Sequence, residues 1–324
     1  MVVALVLSLL VGGSGRVAAQ AAEPALPELA ERLATMTAVT GFEQRLIDSV
    51  VALLPGAVHD RAGNAVLVLG GGARRRLVVC PVSEPGFVVG HVRADGWLTL
   101  RRVPGRASSS GDGQVEGQRV TVFARRGAVP GVVGVRSIHL TRDRAPGDEV
   151  AFTLDEAYVD LGAASAAEVA AAGVAILSPV ALAKRPHRYG SDLLAAPVAA
   201  RRTACAALLV AARRAVAEQG MVPRGETVVV GFVVEQDLQA RGLATLAATR
   251  GPFAEALVVD GGTGAPGAVT RAPDPALAAR WPGLGAVSRW TLGARYLGSP
   301  VETTSLGGAD TLASALAGWI GGAQ

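Results

Sequence analysis

The chain has 324 residues, half of them hydrophobic and 18% charged, which suits one large folded domain or two ordinary ones and excludes a disordered chain. A pI near 9.7 invites a nucleic-acid reading, but the net charge is only +4 and the arginines are scattered rather than striped along one element, so no nucleic-acid partner is expected. Lys184 is the only lysine, which reads as coding bias rather than as a binding surface.

Residues 1–21 read as a secretory signal peptide, although the n-region lacks Lys and Arg. An apolar stretch from Val2 to Val11 precedes a small-x-small cleavage site at Ala19-Gln20-Ala21. No other segment offers about 18 uninterrupted apolar residues, so no membrane span is expected after cleavage, and a secreted or periplasmic location follows.

From Pro24 to Leu54, apolar positions at helical spacing predict two short helices with a hinge at Gly41. Residues 58–69 alternate about an Ala-Gly-Asn turn, a hairpin that feeds a sheet, and RRLVVCPV continues as another strand. Over 86–185 the pattern changes to short β-like runs split by Gly, Pro and Asp turns, which predicts a small barrel or sandwich. The polar loop RASSSGDGQVEGQ within it reads as a hairpin tip or lid. From about residue 190, AAPVAARRTACAALLVAARRAVAEQG predicts a long helix, ETVVVGFVVEQD a buried strand, LQARGLATLAATRG a helix and EALVVDGG a second buried strand. Apolar strands alternating with helices mark a covered, mainly parallel sheet. The expected fold class is therefore α/β, with an α/β/α domain over 24–85 and 186–324 interrupted by an inserted β-barrel domain over 86–185.

In such a sheet reactive groups belong at the carboxyl ends of strands. The predicted ends are Pro81 to Glu84, Gln236-Asp237, Asp260 and the segment 295–302. Taken singly, Asp237 and Asp260 read equally well as turn or cap residues.

Seven segments in order resemble the glutamyl and deblocking aminopeptidases, a family of cocatalytic zinc peptidases that includes tetrahedral and endoglucanase-like members. They are Thr40-Gly41-Phe42-Glu43, Asp60 to Asn64, GFVVGHVRADGWLTL, Ile138-His139-Leu140, YVDLGAASAAEV, FVVEQDLQARG, and Arg295 to Glu302. The resemblance implies an aminopeptidase architecture, two zinc ions held by His and carboxylate ligands, and a Glu as general base. Matched position by position, the first His ligand falls on Pro81 and its orienting Asp on Ser83, leaving Glu84. The bridging Asp falls on Ala200, with Arg202 as a remnant. The general base falls on Gln236, whose amide cannot take up a proton. Asp237 and Asp260 keep their carboxylates, and the last His falls on Gly298. The stretch from Asp260 to Arg295 is shorter than the family's.

Zinc favours nitrogen or sulfur donors in a nearly closed shell, and His59, His91, His139 and His187 take none of the vacated places. Cys80 and Cys205 either pair in an oxidising compartment or sit as two small buried side chains. The preferred reading is a secreted, catalytically silent homologue without a cofactor, binding a peptide or small molecule in its cleft. The alternative is a metallo-aminopeptidase with a rebuilt or single-metal site on Asp237, Asp260 and Glu84, using zinc or cobalt. By resemblance, the β insert is expected to build a homo-oligomer.

Overall fold

A computed structural model describes residues 24–103, 114–134, 152–218 and 220–322. The signal peptide expected over residues 1–21, the segment around His139 and most of the loop at 106–118 lie outside the described residues.

Helices α1 (Leu26–Thr35) and α2 (Gln44–Leu53) form as their periodicity requires, with Gly41 in the left-handed region (φ +87°) between them. In α1 Leu26, Leu29, Ala30, Leu33 and Ala34 make one buried stripe at the i, i+3, i+4 spacing. Strands β1 (Val58–His59) and β2 (Ala65–Gly70) then pair as the expected hairpin. Asp60 holds its turn by accepting from the backbone of Ala62 and Asn64 and from the Asn64 amide.

Strand β3 (Arg74–Pro81) follows β2 in sequence but is not its neighbour. The seven-stranded sheet runs β1-β2-β12-β3-β13-β15-β14, where β12 is Glu226–Val233, β13 Glu255–Thr263, β14 Val269–Pro273 and β15 Ala286–Ala294. β12 is antiparallel to β2 and parallel to β3. It is buried along nearly its whole length, which suits a central position covered on both faces. Gly72 lets the chain pass: a Cβ there would lie 1.8 Å from the carbonyl carbon of Gly225, just ahead of β12. β12, β3, β13 and β15 form the parallel centre, and antiparallel strands close both edges.

Between β3 and β12 the chain builds a closed barrel in the order β4-β5-β8-β7-β6-β9. Its strands are β4 (Gly86–Val92), β5 (Leu98–Val103), β6 (Arg119–Ala124), β7 (Gly127–Val133), β8 (Tyr158–Asp160) and β9 (Pro179–Leu182). A short helix, α3 (Ala166–Ala171), packs Val169 into its core beside Phe87, Leu98, Val122 and Val159. Strands β10 (His187–Tyr189), β11 (Leu193–Ala195) and β16 (Thr303–Ser305) make a small antiparallel sheet.

The remaining helices are α4 (Ala199–Ala217), α5 (Arg241–Arg250), α6 (Pro275–Arg280) and α7 (Leu306–Ile320). One face of the large sheet packs against α1, α4 and α7, with Val78, Cys80, Val228 and Leu257 in that core. The other face presents Leu77, Val79, Val229 and Val258 to α5 and its neighbours. The strict alternation along β3 gives the three-layer α/β/α arrangement that the sequence predicts. No described helix is long and apolar enough to cross a membrane.

Candidate functional site

The first turn of α4 packs directly onto β13. A Cβ on Gly261 would stand 2.8 Å from both the Ala200 methyl and the Arg201 amide nitrogen, so glycine sets this close approach. Val198, in the left-handed region at φ +53°, turns the chain into the helix. Asp260 lies within β13 rather than at its end, because pairing with β15 continues to Thr263.

Docked in this way, Arg201 folds its guanidinium onto Asp260. Nε donates to Oδ1 at 2.8 Å and Nη2 to Oδ2 at 3.2 Å, while Nη1 donates to the carbonyl of Ser83. Arg289, which donates twice to Asp274, brings a second guanidinium to 3.8 Å from Asp260. Asp260 is thus enclosed by arginine, a geometry in which both carboxylate oxygens are already engaged.

Glu84 heads a second, deeper cluster. One of its oxygens accepts from the Ala38 amide at 3.0 Å, and the other accepts from Lys184 Nζ at 2.6 Å and Arg202 Nη2 at 2.7 Å. Arg202 also donates to the Val82 carbonyl at 2.6 Å. All three side chains are buried, at 5% exposure or less. Burial alone would raise the Glu84 pKa, but Lys184 and then Arg202 overcome it and hold the carboxyl below the ordinary glutamate range.

Asp237 is exposed and accepts the Thr40 hydroxyl at 2.8 Å. Beside it the backbone N–H of Gln236 donates to Ser83 Oγ at 3.0 Å, and that hydroxyl donates to Glu43 at 2.7 Å. Burial raises the Glu43 pKa against these hydrogen bonds. Glu302 ties two predicted ligand positions together through their backbones: its oxygens accept from Ala200 at 2.9 Å and Gly298 at 2.8 Å. Burial raises its pKa as well. A cavity of about 360 Å³, lined by Phe87, Val115, Leu182, Pro197 and Gly298, opens beside Glu84 and Lys184.

Of the carboxylates singled out in sequence, Asp260 and Glu84 stand in two separate ionic clusters around α4, and Asp237 is held apart from both by Thr40, so they form no single ligand set. Among the described residues no three His, Cys, Asp or Glu side chains converge as a metal site. His91 and His187 are exposed, and His59 is turned toward Asp48 at 3.4 Å. Cys80 and Cys205 form a buried disulfide with a Cα separation of 5.5 Å, so neither offers a thiolate. A two-zinc group does not fit this donor set: among the described residues no His nitrogen joins it, and Asp260 and Glu84 are engaged by cationic side chains.

Arg201, Lys184 and Glu302 carry much of this arrangement, and sequence reasoning gave none of them a role. Two adjacent arginines in the first turn of the Ala-rich helix, and a lone lysine near the barrel exit, were the available signals.

Comparison with known proteins supports the architecture. The M42 glutamyl aminopeptidase profile matches residues 63–276. SgcX of Escherichia coli (strain K12) is 30% identical over 156 residues, 47% of this chain and 40% of that protein. The lysyl aminopeptidase of Pyrococcus furiosus is 28% identical over 193 residues, 58% of this chain and 54% of that one. The chain spans about half the length of these relatives. Among solved structures, the TET1 peptidase of Pyrococcus horikoshii superposes with a TM-score of 0.77 at 20% identity, covering 91% of this chain and 99% of that one. An aminopeptidase from Desulfurococcus kamchatkensis gives 0.74 at 19% identity, covering 90% and 93%. With the profile spanning most of the α/β domain and all of the barrel, the chain belongs to the M42 glutamyl aminopeptidase family.

Proposed function

We propose that this chain is a catalytically silent member of its family, an exported protein that uses the aminopeptidase scaffold to bind rather than to hydrolyse. The supporting observation is that each carboxylate matched to the metal site is held by the protein's own donors: Asp260 by Arg201, Glu84 by Lys184 and Arg202, Asp237 by Thr40. Metal-assisted hydrolysis needs a cation to acidify water and a base to take its proton. At the position matched to that base, Gln236 supplies an amide without basicity.

The cleft between the barrel and the segment 295–302 is the place for a peptide or small-molecule ligand, since the cavity there is mainly apolar with polar groups at its edge. Export agrees with the Cys80–Cys205 disulfide, because such bonds persist in oxidising compartments. Self-association through the barrel agrees with the exposure of Ile176 and Leu177 on its surface, and sedimentation of the purified protein tests it.

The test of silence combines metal analysis with hydrolysis of a panel of aminoacyl-arylamides after incubation with zinc, cobalt or manganese. The expected result is no stoichiometric metal and no turnover above buffer. Stoichiometric zinc together with turnover that Asp260→Ala abolishes would overturn the proposal in favour of a rebuilt metallo-aminopeptidase.

A further inference from the structure

We infer that Arg201 is a tethered counter-ion, a side-chain guanidinium serving as the resident cation of the site between α4, β13 and the β3 exit and joining these three elements. The inference rests on the proposal that no metal occupies the site.

The geometry is that of a receptor for a planar, forked cation. Asp260 on β13 accepts Nε and Nη2 side-on, and the Ser83 carbonyl after β3 accepts Nη1, so one guanidinium links α4, β13 and the β3 exit. Three donors in one plane meet three fixed acceptors, a match that a spherical ammonium cannot reproduce.

The position is otherwise unfavourable for a cation. Arg201 stands in the first turn of α4, where the helix dipole opposes positive charge, and its neighbour Arg202 is also cationic. Burial opposes the charge too, yet Asp260, then Asp237 and Glu302, more than offset it and raise the Arg201 pKa. The guanidinium is held in place by the carboxylates it neutralises. Without it, Asp260 would be left a largely buried carboxylate accepting from the Gly261 backbone, with the more distant Arg289 as its nearest cation.

Truncation of the tether should therefore leave a pocket that takes up free guanidinium. The experiment compares the melting midpoints of the wild type, Arg201→Ala and the double variant Arg201→Ala/Asp260→Asn. Each is measured with methylguanidinium at about 10 mM, with sodium chloride at equal ionic strength, and with zinc. Arg201→Ala is expected to melt about 5 °C lower, and methylguanidinium to restore half or more of that loss. The wild type and the double variant should not respond. An unchanged midpoint in Arg201→Ala, equal restoration by sodium chloride, or restoration by zinc in place of methylguanidinium overturns the inference.

If Arg201→Ala does not fold, Arg201→Lys keeps the charge and removes the fork. It should melt below the wild type by an amount that disappears in the Asp260→Asn background, and a wild-type midpoint overturns the inference. Failure here is distinct from failure of the silent reading. The latter is read from metal content and turnover of the wild type, whereas absent rescue in a metal-free, inactive protein defeats only the tethered cation.

Discussion

Glu84 shows how strongly one side chain is committed to this fold. Its carboxylate stands between Lys184 and Arg202 with almost no access to water. Removing its charge leaves two buried cations facing each other, so Glu84→Gln should destabilise the protein by about 3 kcal/mol in urea unfolding at neutral pH. The pH dependence has a defined sign. Because the folded pKa lies below the ordinary value of 4.5, the stabilisation is fully present above that value and is lost as the pH falls through the folded pKa. Glu84→Gln should therefore flatten the acid limb of the stability profile. Glu302 works in the opposite sense: burial raises its pKa above 4.5, so its contribution is largest in acid and is lost as the pH rises through the folded value. At this scale the family resemblance pointed to Pro81, Ala200, Gln236 and Gly298 as matched positions, and two of them, Ala200 and Gly298, meet through their backbones on Glu302. Arg201 was not legible in the sequence. A long side chain reaches groups several ångströms from its own position, and sequence order does not encode that reach.

Among the elements, α4 organises the site, and two contacts fix where it lies. The disulfide ties it to β3 across 125 residues, a loop long enough that the chain-entropy account puts its contribution at about 5 kcal/mol. Replacing both cysteines by alanine should lower the unfolding free energy by that amount, and the native protein should show no titratable thiol when denatured without reductant. The second contact is Gly261. Gly261→Ala forces the added methyl against Ala200 and Arg201, and should cost about 1–3 kcal/mol in chemical denaturation. The helices α1, α2, α4 and α5 and the strands β2, β3, β12 and β13 were readable from apolar periodicity, down to the stripe on α1, whereas β14, β15 and α7 were not read. The place of β12 was not, since its insertion between β2 and β3 depends on pairing between segments more than 150 residues apart, Val228↔Leu69 for example. For the same reason the sequence left the pairing of Cys80 with Cys205 open.

At the level of the whole molecule, the change from short β runs to alternating strands and helices was enough to anticipate a barrel set into an α/β/α sandwich. The junction between them was missed, because it is built on a residue that composition alone presented as an accident. Lys184 follows the last barrel strand and reaches back to Glu84 on the sandwich. As the only lysine of the chain, it leaves the folded surface without a single ε-amine. Amine-directed reagents should find no side-chain target on the native protein. An activated ester at a pH of about 8 should label the α-amine alone, and unfolding should admit one further label, which intact-mass measurement counts directly. The positive charge that the protein shows to solvent is otherwise guanidinium, and it persists into alkaline solution where a lysine-rich surface would already have become neutral.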